Sequence, residues 1–513
     1  MHNTKRFVMH HIPSQNRNQI QMLCLEQCVE KESFVRAIDA FVDLIDLKSF
    51  GFKHVTTNEE GRPPYHPATL LKLYLYGYRY GIRSSRKLEY QSKYNLEVKW
   101  LLCGQTPSNR TIDYFRKEYA EAFTNVFRKF VFLLKEMGLV EGKTIAVDSF
   151  KIRAQNSLKN NFNIAKIKRH KEYIDNRIAE FKRDLDEAQN QEEKAELRQK
   201  IETQKKRKAK YESIETQLIE SEQEQISLTD SDSRAVILHR NIVQVGYTIQ
   251  AAVDAKKKLI TNLDTAQVND TRALAPIALN TKALLQVEQM DILADKGYHT
   301  GDQLKQCADA NIQTFVSPKD SSSSYDDIFP ISRFIYNPDS DLYTCPAGQQ
   351  LRTNNIWYKH SNKGRSPAFR FKRYVTPNCK DFPMRSRCTK GKQNGRAIDR
   401  SEYADVIAQN AARVNKSPDY YRLRQQLAEH PWGTMKRQWG FDHVLVRGKK
   451  QVLGEVSLIF TCYNMIRCIN ILGQQGFYEI LAKARKQPKK DSKQPYLGKI
   501  MPFYDKNILI PAA

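Results

Sequence analysis

The chain has 513 residues, enough for two or three domains of about 100 to 200 residues each, and a formal net charge of +26 that favours a polyanionic partner such as nucleic acid. No apolar run reaches the roughly 18 to 20 residues that cross a bilayer, and residues 1–18 lack a signal-peptide core, so an intracellular protein without a membrane partner is expected. Nine scattered cysteines, odd in number and low in density, argue against a disulfide scaffold and for reduced thiols.

Residues 20–140 read as helical, because apolar positions recur at three and four: Leu70, Leu71, Leu73, Tyr74 and Tyr78, then Ile112, Phe115, Tyr119 and Phe123. The break CGQTPSN at 103–109 separates two helical stretches, with Ser108 placed to cap the second, a helix-turn-helix-like arrangement. Arg110, Arg116 and Lys117 on that second stretch are candidates to meet DNA; the competing reading is a solvated face. From Gly142 the pattern turns β-rich through KTIAVDSF, VQVGYTIQAAVDA, KKLITNLDTAQ, MDILADKGY and NIQTFVSPKD. A helical candidate at 271–287 precedes the fourth run, so a mixed α/β domain is expected, with Pro276 weakening the first helical turn.

Between the first two strands, residues 164–220 are rich in Lys, Glu, Gln and Arg. Ile174, Ile178, Phe181, Leu185 and Ala188 recur there at four and three, a coiled-coil seam. One straight helix would project roughly 85 Å at about 1.5 Å per residue, so a helical hairpin turning near Asn190 is expected. It serves dimerisation, DNA gripping, or is simply a solvated helical pair. Residues 321–400 lose periodicity and carry aromatic and basic residues and three cysteines, which suggests a second, irregular insertion. Helix returns at 402–428 and 454–472, the latter expected to be buried, and a basic, Pro-punctuated tail follows.

The expected division is a helical domain over 1–140 and a mixed α/β core over 141–320 interrupted by the 160–225 helical insertion. The cysteine-bearing insertion over 321–400, a continuation of the core over 401–475 and a basic tail over 476–513 complete it.

Asp148 ends the apolar run TIAVD and Asp295 ends DILAD, positions where a sheet can hold a carboxylate at the rim of a site. Two such acids suit Mg²⁺, which prefers oxygen ligands, and a third from a following helix would complete a two-metal phosphoryl-transfer site. Asp254 and Asp264 occupy similar local positions, so no single Asp is decisive.

The stretch RPPYHPATLLKLYLYGYRYGIRSSRKLEYQSKYNLEVKWLLCGQTPSNRTIDYFRK, residues 62–117, resembles the N-terminal domain of bacterial insertion-sequence transposases. TIAVDSFKIRAQNS, VGYTIQAAVD, ILADKGYHTG, and AEHPWGTMKRQWGFDHVLVRG with YNMIR follow in the order of DDE transposases. Together these segments anchor most of the chain outside 160–225 and 321–400.

The resemblance implies an RNase H-like mixed-sheet catalytic domain, with Asp148, Asp295 and Glu429 as metal-binding catalytic acids. It implies Mg²⁺, with Mn²⁺ as an alternative, and no nucleotide cofactor. Lys436 matches the basic residue seven positions after the Glu, and Tyr421 and Arg424 are the nearest equivalents of a Tyr and an Arg before it. Gln425 occupies the expected Arg position; by helical geometry Arg422, Glu429 and Lys436, seven apart, are the competing set, unless Pro431 breaks the helix. Trp432 could stack a displaced base or serve the core. Cys345, Cys379 and Cys388 resemble a cysteine-bearing insertion of many relatives, but Phe382 stands where the second residue of a Cys-x-x-Cys pair is common, so zinc is not expected.

The implied partners are double-stranded DNA, both terminal inverted repeats and target, and a second copy of the chain on that DNA. The implied location is the cytoplasm, at the nucleoid. Two rival readings remain: a hydrolytic nuclease of the same fold, and an inactive DNA-binding derivative.

Overall fold

The computed structural model describes residues 17–20, 22–56, 63–221, 223–239, 242–265, 270–318, 328–360, 369–379, 382–389 and 395–486. The N-terminal third is helical: α1 (Phe34–Leu44), α2 (Pro67–Arg79), α3 (Ser85–Tyr94), α4 (Leu96–Leu101), α5 (Asn109–Glu118) and α6 (Ala120–Glu136). Side-chain caps start several of them. Ser33 accepts from the Val35 amide, Asn95 from Val98 and Ser108 from Thr111, each satisfying one of the amides a helix start leaves open. Cys103 and Gly104, both at positive φ, turn the chain between α4 and α5.

Strand β1 (Thr144–Arg153) is followed by β2 (Asn161–Phe162), the helices α7 (Ile164–Glu187) and α8 (Gln191–Glu220), and β3 (Ile226–Ser227), which pairs with β2 at the base of the helical hairpin. Asn190 caps α8, so the turn occupies 188–190. Ile174, Ala188, Leu197, Ile201, Ile214 and Leu218 are buried between the helices, whereas Ile178, Phe181 and Leu185 are only half-buried.

The chain then adds β4 (Arg234–His239), β5 (Ile242–Asp254), β6 (Ile260–Asp264), α9 (Leu274–Leu285), β7 (Met290–Ala294), α10 (Gly301–Asp309) and β8 (Ile312–Val316). The sheet order is β4-β5-β1-β7-β8, with β6 also on β5. Strand β5 is antiparallel to β1, β4 and β6, whereas β1, β7 and β8 run parallel, so the sheet is mixed. Every residue of β5 from Val245 to Asp254 is buried, as in a strand covered on both faces. Pro276 falls in the first turn of α9, where its missing N–H costs no helical bond.

Residues 321–400 differ from expectation. Strands β9 (Ile335–Asn337), β10 (Leu342–Thr344), β11 (Gln350–His360), β12 (Phe369–Val375) and β13 (Ile398–Ser401) form an antiparallel sheet in the order β13-β12-β11-β10-β9. Its small core holds Phe334, Tyr343, Leu351, Tyr374 and Ile398. Alternation is masked in the sequence because β11 carries an irregularity between Thr353 and Trp357, with Asn355 at φ 62°, and most of β11 is exposed.

The helix expected over 402–428 is two helices, α11 (Ala404–Lys416) and α12 (Pro418–Gly433), because Pro418 disfavours helical backbone at Ser417. Pro431 lies within the last turn of α12, which passes into a π-helical turn, Thr434–Gln438. Last comes α13 (Lys449–Lys486), kinked at Gly473. The tail expected from 476 is therefore helical to 486, and its remainder lies outside the described residues.

By length and composition α13 could cross a membrane, yet Val452, Val456, Ile459, Phe460 and Tyr463 are buried inside the protein. Phe460 meets Phe127 at 6.1 Å and Phe477 meets Phe130 at 6.4 Å between ring centroids, and a Cβ on Gly454 would lie 2.5 Å from the Ala120 Cα. One hydrophobic core thus runs from Val29 through the N-terminal helices, the mixed sheet and α13 to Leu481, across the boundary expected near residue 140.

Candidate active site

Strands β1 and β7 pair in parallel with Ala146 opposite Leu293, so Asp148 comes level with Asp295, which starts the turn immediately after β7. Asp148 does not end its strand, contrary to the sequence reading. Pairing with β5 carries β1 on to Arg153, while pairing with β7 stops at Ala146 and leaves the Asp148 edge open. Burial pushes the Asp148 carboxyl up, and the like charge of Asp295 adds to the rise, against hydrogen bonds from the Ser149 amide and Trp432 and the charge of Arg424. Asp295 Oδ1 accepts from the Gly297 amide at 2.7 Å, which fixes its rotamer.

A further carboxylate, unmarked by any strand or helix pattern, joins them. Asp270 Oδ1 accepts from Gln250 Nε2 at 2.9 Å, and Gln250 Oε1 accepts from the buried Tyr298 hydroxyl. A point one Cβ out from Gly297 lies 2.8 Å from Asp295 Oδ1 and 3.5 Å from Asp270 Oδ2, so the two carboxylates face the same small space. Burial pushes the Asp270 carboxyl up, Asp295 adding to the effect and the Gln250 bond and Lys151 opposing it. The only sequence signal was an Asp in the loop after a strand.

Helix α12 covers this edge. Trp432 Nε1 donates to Asp148 Oδ2 at 3.1 Å, and the indole stacks on Phe460 at 6.0 Å. Of the two roles open to Trp432 in the sequence, the contacts here are those of the core: its polar edge orients a carboxylate and its ring packs on Phe150 and Phe460. Glu429, three residues before Trp432, is exposed, and its Oε1 accepts from Gln425 Nε2 at 2.9 Å. Among the described residues, no three His, Cys, Asp or Glu side chains stand close enough to hold a metal ion as they are. The oxygen donors of Asp148 and Asp295 suit a hard divalent cation, which would relieve their mutual repulsion and retain several waters.

Lys436 lies on the π-helical turn. Its Nζ donates to the Lys151 carbonyl at 2.7 Å and sits 4.5 Å from the Phe150 ring centre. Burial pushes its ammonium down to about 8, against the pull of Asp148. Arg424 lies 5.7 Å from the Tyr421 ring centre, while Arg422 is exposed and pairs with Asp419 at 3.1 Å. Arg424 acts electrostatically on Asp148, as Lys436 does, whereas Arg422 is turned to Asp419.

Asp254 belongs elsewhere: it accepts from the amides of Glu141, Gly142 and Lys256 and ties down the chain entering β1. Asp264 accepts from the Thr265 amide at 2.6 Å at the end of β6. On α5, Arg110 and Lys117 are exposed, Lys117 pairing with Asp113 at 2.6 Å. Arg116 is not available to DNA. It is 5% exposed, donates to the Arg83 carbonyl and to Asp113, and lies in a buried network with Tyr74, Tyr78 and Glu455. Its α5 position turns it inward, which the helical period alone did not separate from its exposed neighbours.

Cys345, Cys379 and Cys388 line one small cavity with Phe382, and burial pushes the Cys388 thiol up, its two neighbouring cysteines adding to the rise.

A family model described as Transposase domain (DUF772) matches residues 23–118, and one described as Transposase DDE domain matches residues 344–469. The second spans Glu429, Trp432 and Lys436 but neither Asp148 nor Asp295. No curated protein and no solved structure matches the chain.

Proposed function

The chain is an insertion-sequence transposase of the DDE type, and from that premise we propose that it binds its element's terminal inverted repeats, cleaves phosphodiester bonds there and joins the 3′ ends to target DNA. The observation that carries this reading is the levelling of Asp148 with Asp295 on parallel strands, two acids 147 positions apart in a strongly basic chain. The sheet order β6-β5-β1-β7-β8, three antiparallel strands followed by two parallel ones, supports an RNase H-like core, with α7–α8 and β9–β13 as insertions.

Asp148 and Asp295, with Glu429 from α12, would hold divalent cations, Mg²⁺ or Mn²⁺. When bound, such ions activate the attacking oxygen and stabilise the leaving oxygen of an in-line displacement. Trp432 fixes the Asp148 carboxylate, and the Gly297 amide fixes that of Asp295. Lys436 and Arg424, both acting electrostatically on Asp148, would share the negative charge that builds on the phosphate. Arg110 and Lys117 on α5 supply phosphate contacts at the element's ends, with Tyr421 and Arg422 as further contacts along α12. Two ends must be brought together, so the working form on DNA is at least a homodimer, acting in the cytoplasm at the nucleoid.

Purified protein incubated with its element ends and Mg²⁺ tests the reading. Nicked ends together with joined products are expected. Nicks without joining would favour a hydrolytic nuclease, and binding without nicks a catalytically inactive derivative.

A further inference from the structure

The far end of the second sheet is more exposed than the rest: β13 pairs with β12 only as far as Phe371, and beyond it β11 and β12 run on as a two-stranded end. Residues Ile356 to His360 of β11 are all exposed in succession, with Ile356 at 55%, Trp357 at 46% and Tyr358 at 37%. A strand that packs on one side alternates; five exposed residues in a row mean that neither face of β11 is fully covered there. Large apolar side chains left open in this way mark an interaction surface.

The partner's chemistry is written in the cross-strand pairs. Trp357 lies opposite Lys372, and Lys359 opposite Arg370, so one face alternates an aromatic ring with three cations. Arg370 and Lys372 stand 5.7 and 5.6 Å from the Trp357 ring centre. The other face stacks Tyr358 on Phe371 and His360 on Phe369, with Arg373 5.9 Å from the Tyr358 ring centre. Cations spaced along both strands suit the phosphates of duplex DNA, and the exposed rings between them can lie against its sugars.

Three of the cations already have partners: Arg370 with Glu402, Lys372 with Asp341 and Arg373 with Asp399. Surface pairs of this kind contribute about 0 to 1 kcal/mol and exchange readily for a phosphate. They hold the long side chains along the ribbon while it is unbound.

We propose that the β11–β12 ribbon is a second DNA-contacting surface, separate from the N-terminal helices and from the Asp148–Asp295 edge, which grips duplex DNA through Trp357, Tyr358 and Lys359. The proposal rests on the transposase reading for the identity of its partner.

The test uses full-length protein and a labelled random-sequence duplex of about 30 base pairs, titrated at several salt concentrations. Trp357→Ala/Tyr358→Ala should weaken binding at least about tenfold, and Lys359→Ala should make the salt slope shallower by ~1. Both substitutions change exposed side chains outside the small core, and unchanged thermal melts would show that the fold is kept. Ultraviolet crosslinking to a bromouracil-containing duplex should label the peptide bearing residues 350–360. If wild type binds but the double variant binds within twofold and the peptide is unlabelled, the ribbon proposal fails and the transposase reading stands. If wild type binds no DNA, both fall. If binding is lost only together with self-association in sedimentation, the ribbon docks a second copy of the chain and the proposal is overturned.

Discussion

Trp432 on α12 donates its indole N–H to Asp148 on β1 at 3.1 Å, across 284 positions of sequence. The bond holds one carboxylate oxygen of Asp148 in place beside the level of Asp295. Trp432→Phe keeps the ring against Phe460 and removes the donor. Cleavage should drop by about 10- to 100-fold, the usual effect of losing a hydrogen bond that orients a metal ligand, with little change in melting temperature. Unaltered cleavage would leave Trp432 a packing residue only.

Glu429→Gln keeps size and hydrogen bonding, including the contact with Gln425, but removes charge. Nicking of element ends should collapse by several orders of magnitude while end binding persists. Asp442→Asn should do much less, because the Asp442 carboxylate is committed to His443 at 2.6 Å and to Arg83 and Arg153 at 3.8 Å. Equal losses in the two variants would mean that the third acid is misplaced.

Asp270→Asn tests the carboxylate that faces Asp295. Asparagine can still accept from Gln250, so the Gln250–Tyr298 chain should survive while the charge disappears. Mn²⁺ affinity followed by electron paramagnetic resonance should weaken roughly tenfold. Equal affinity in wild type and variant would confine Asp270 to a structural role.

Lys436 gives a pH signature in the metal-free protein. Its folded pKa, pushed down to about 8, lies below the ordinary 10.5, so the unfolded chain binds more protons between those values. Stability should therefore rise with pH across that window, and below pH 8 the full cost of burying the ammonium is present. Lys436→Met removes this cost: urea melts should find it more stable at pH 7, with the gap narrowing from pH 8 upward. A gap that does not change between pH 7 and 10 would contradict the buried-ammonium picture.

Arg116 and Arg110, six positions apart on one helix, should separate stability from DNA binding. Arg116→Ala leaves the Arg83 carbonyl and Asp113 without a donor in a buried site and should cost about 1 to 3 kcal/mol in denaturant melts. Arg110→Ala should leave the melt unchanged and weaken end binding, with a salt slope shallower by ~1. The opposite pattern would reverse their roles.

What the sequence revealed follows from how local each signal is. The apolar runs around Asp148 and Asp295 are visible in five residues, and the coiled seam from Ile174 to Ala188 in fifteen. Asp270 was invisible because its meaning comes from Gln250 and Tyr298, brought in from β5 and the turn after β7. Arg116 misled for the same reason: a cation reads as a DNA contact until the Arg83 carbonyl and Asp113 are seen holding it inside the protein. The β9–β13 sheet escaped because an exposed ribbon has no buried face to impose alternation on its residues.

The contact of Gly454 with Ala120 has a consequence for how this molecule can change over time. With α13 wedged among α1, α2 and α6 down to the level of bare backbone, the N-terminal helices are not an exchangeable cassette. A foreign helical module spliced on ahead of β1 would have to reproduce the whole apolar imprint of α13, including the notch that receives a residue without a side chain. New specificity can enter this architecture one surface residue at a time, but not by swapping its first third.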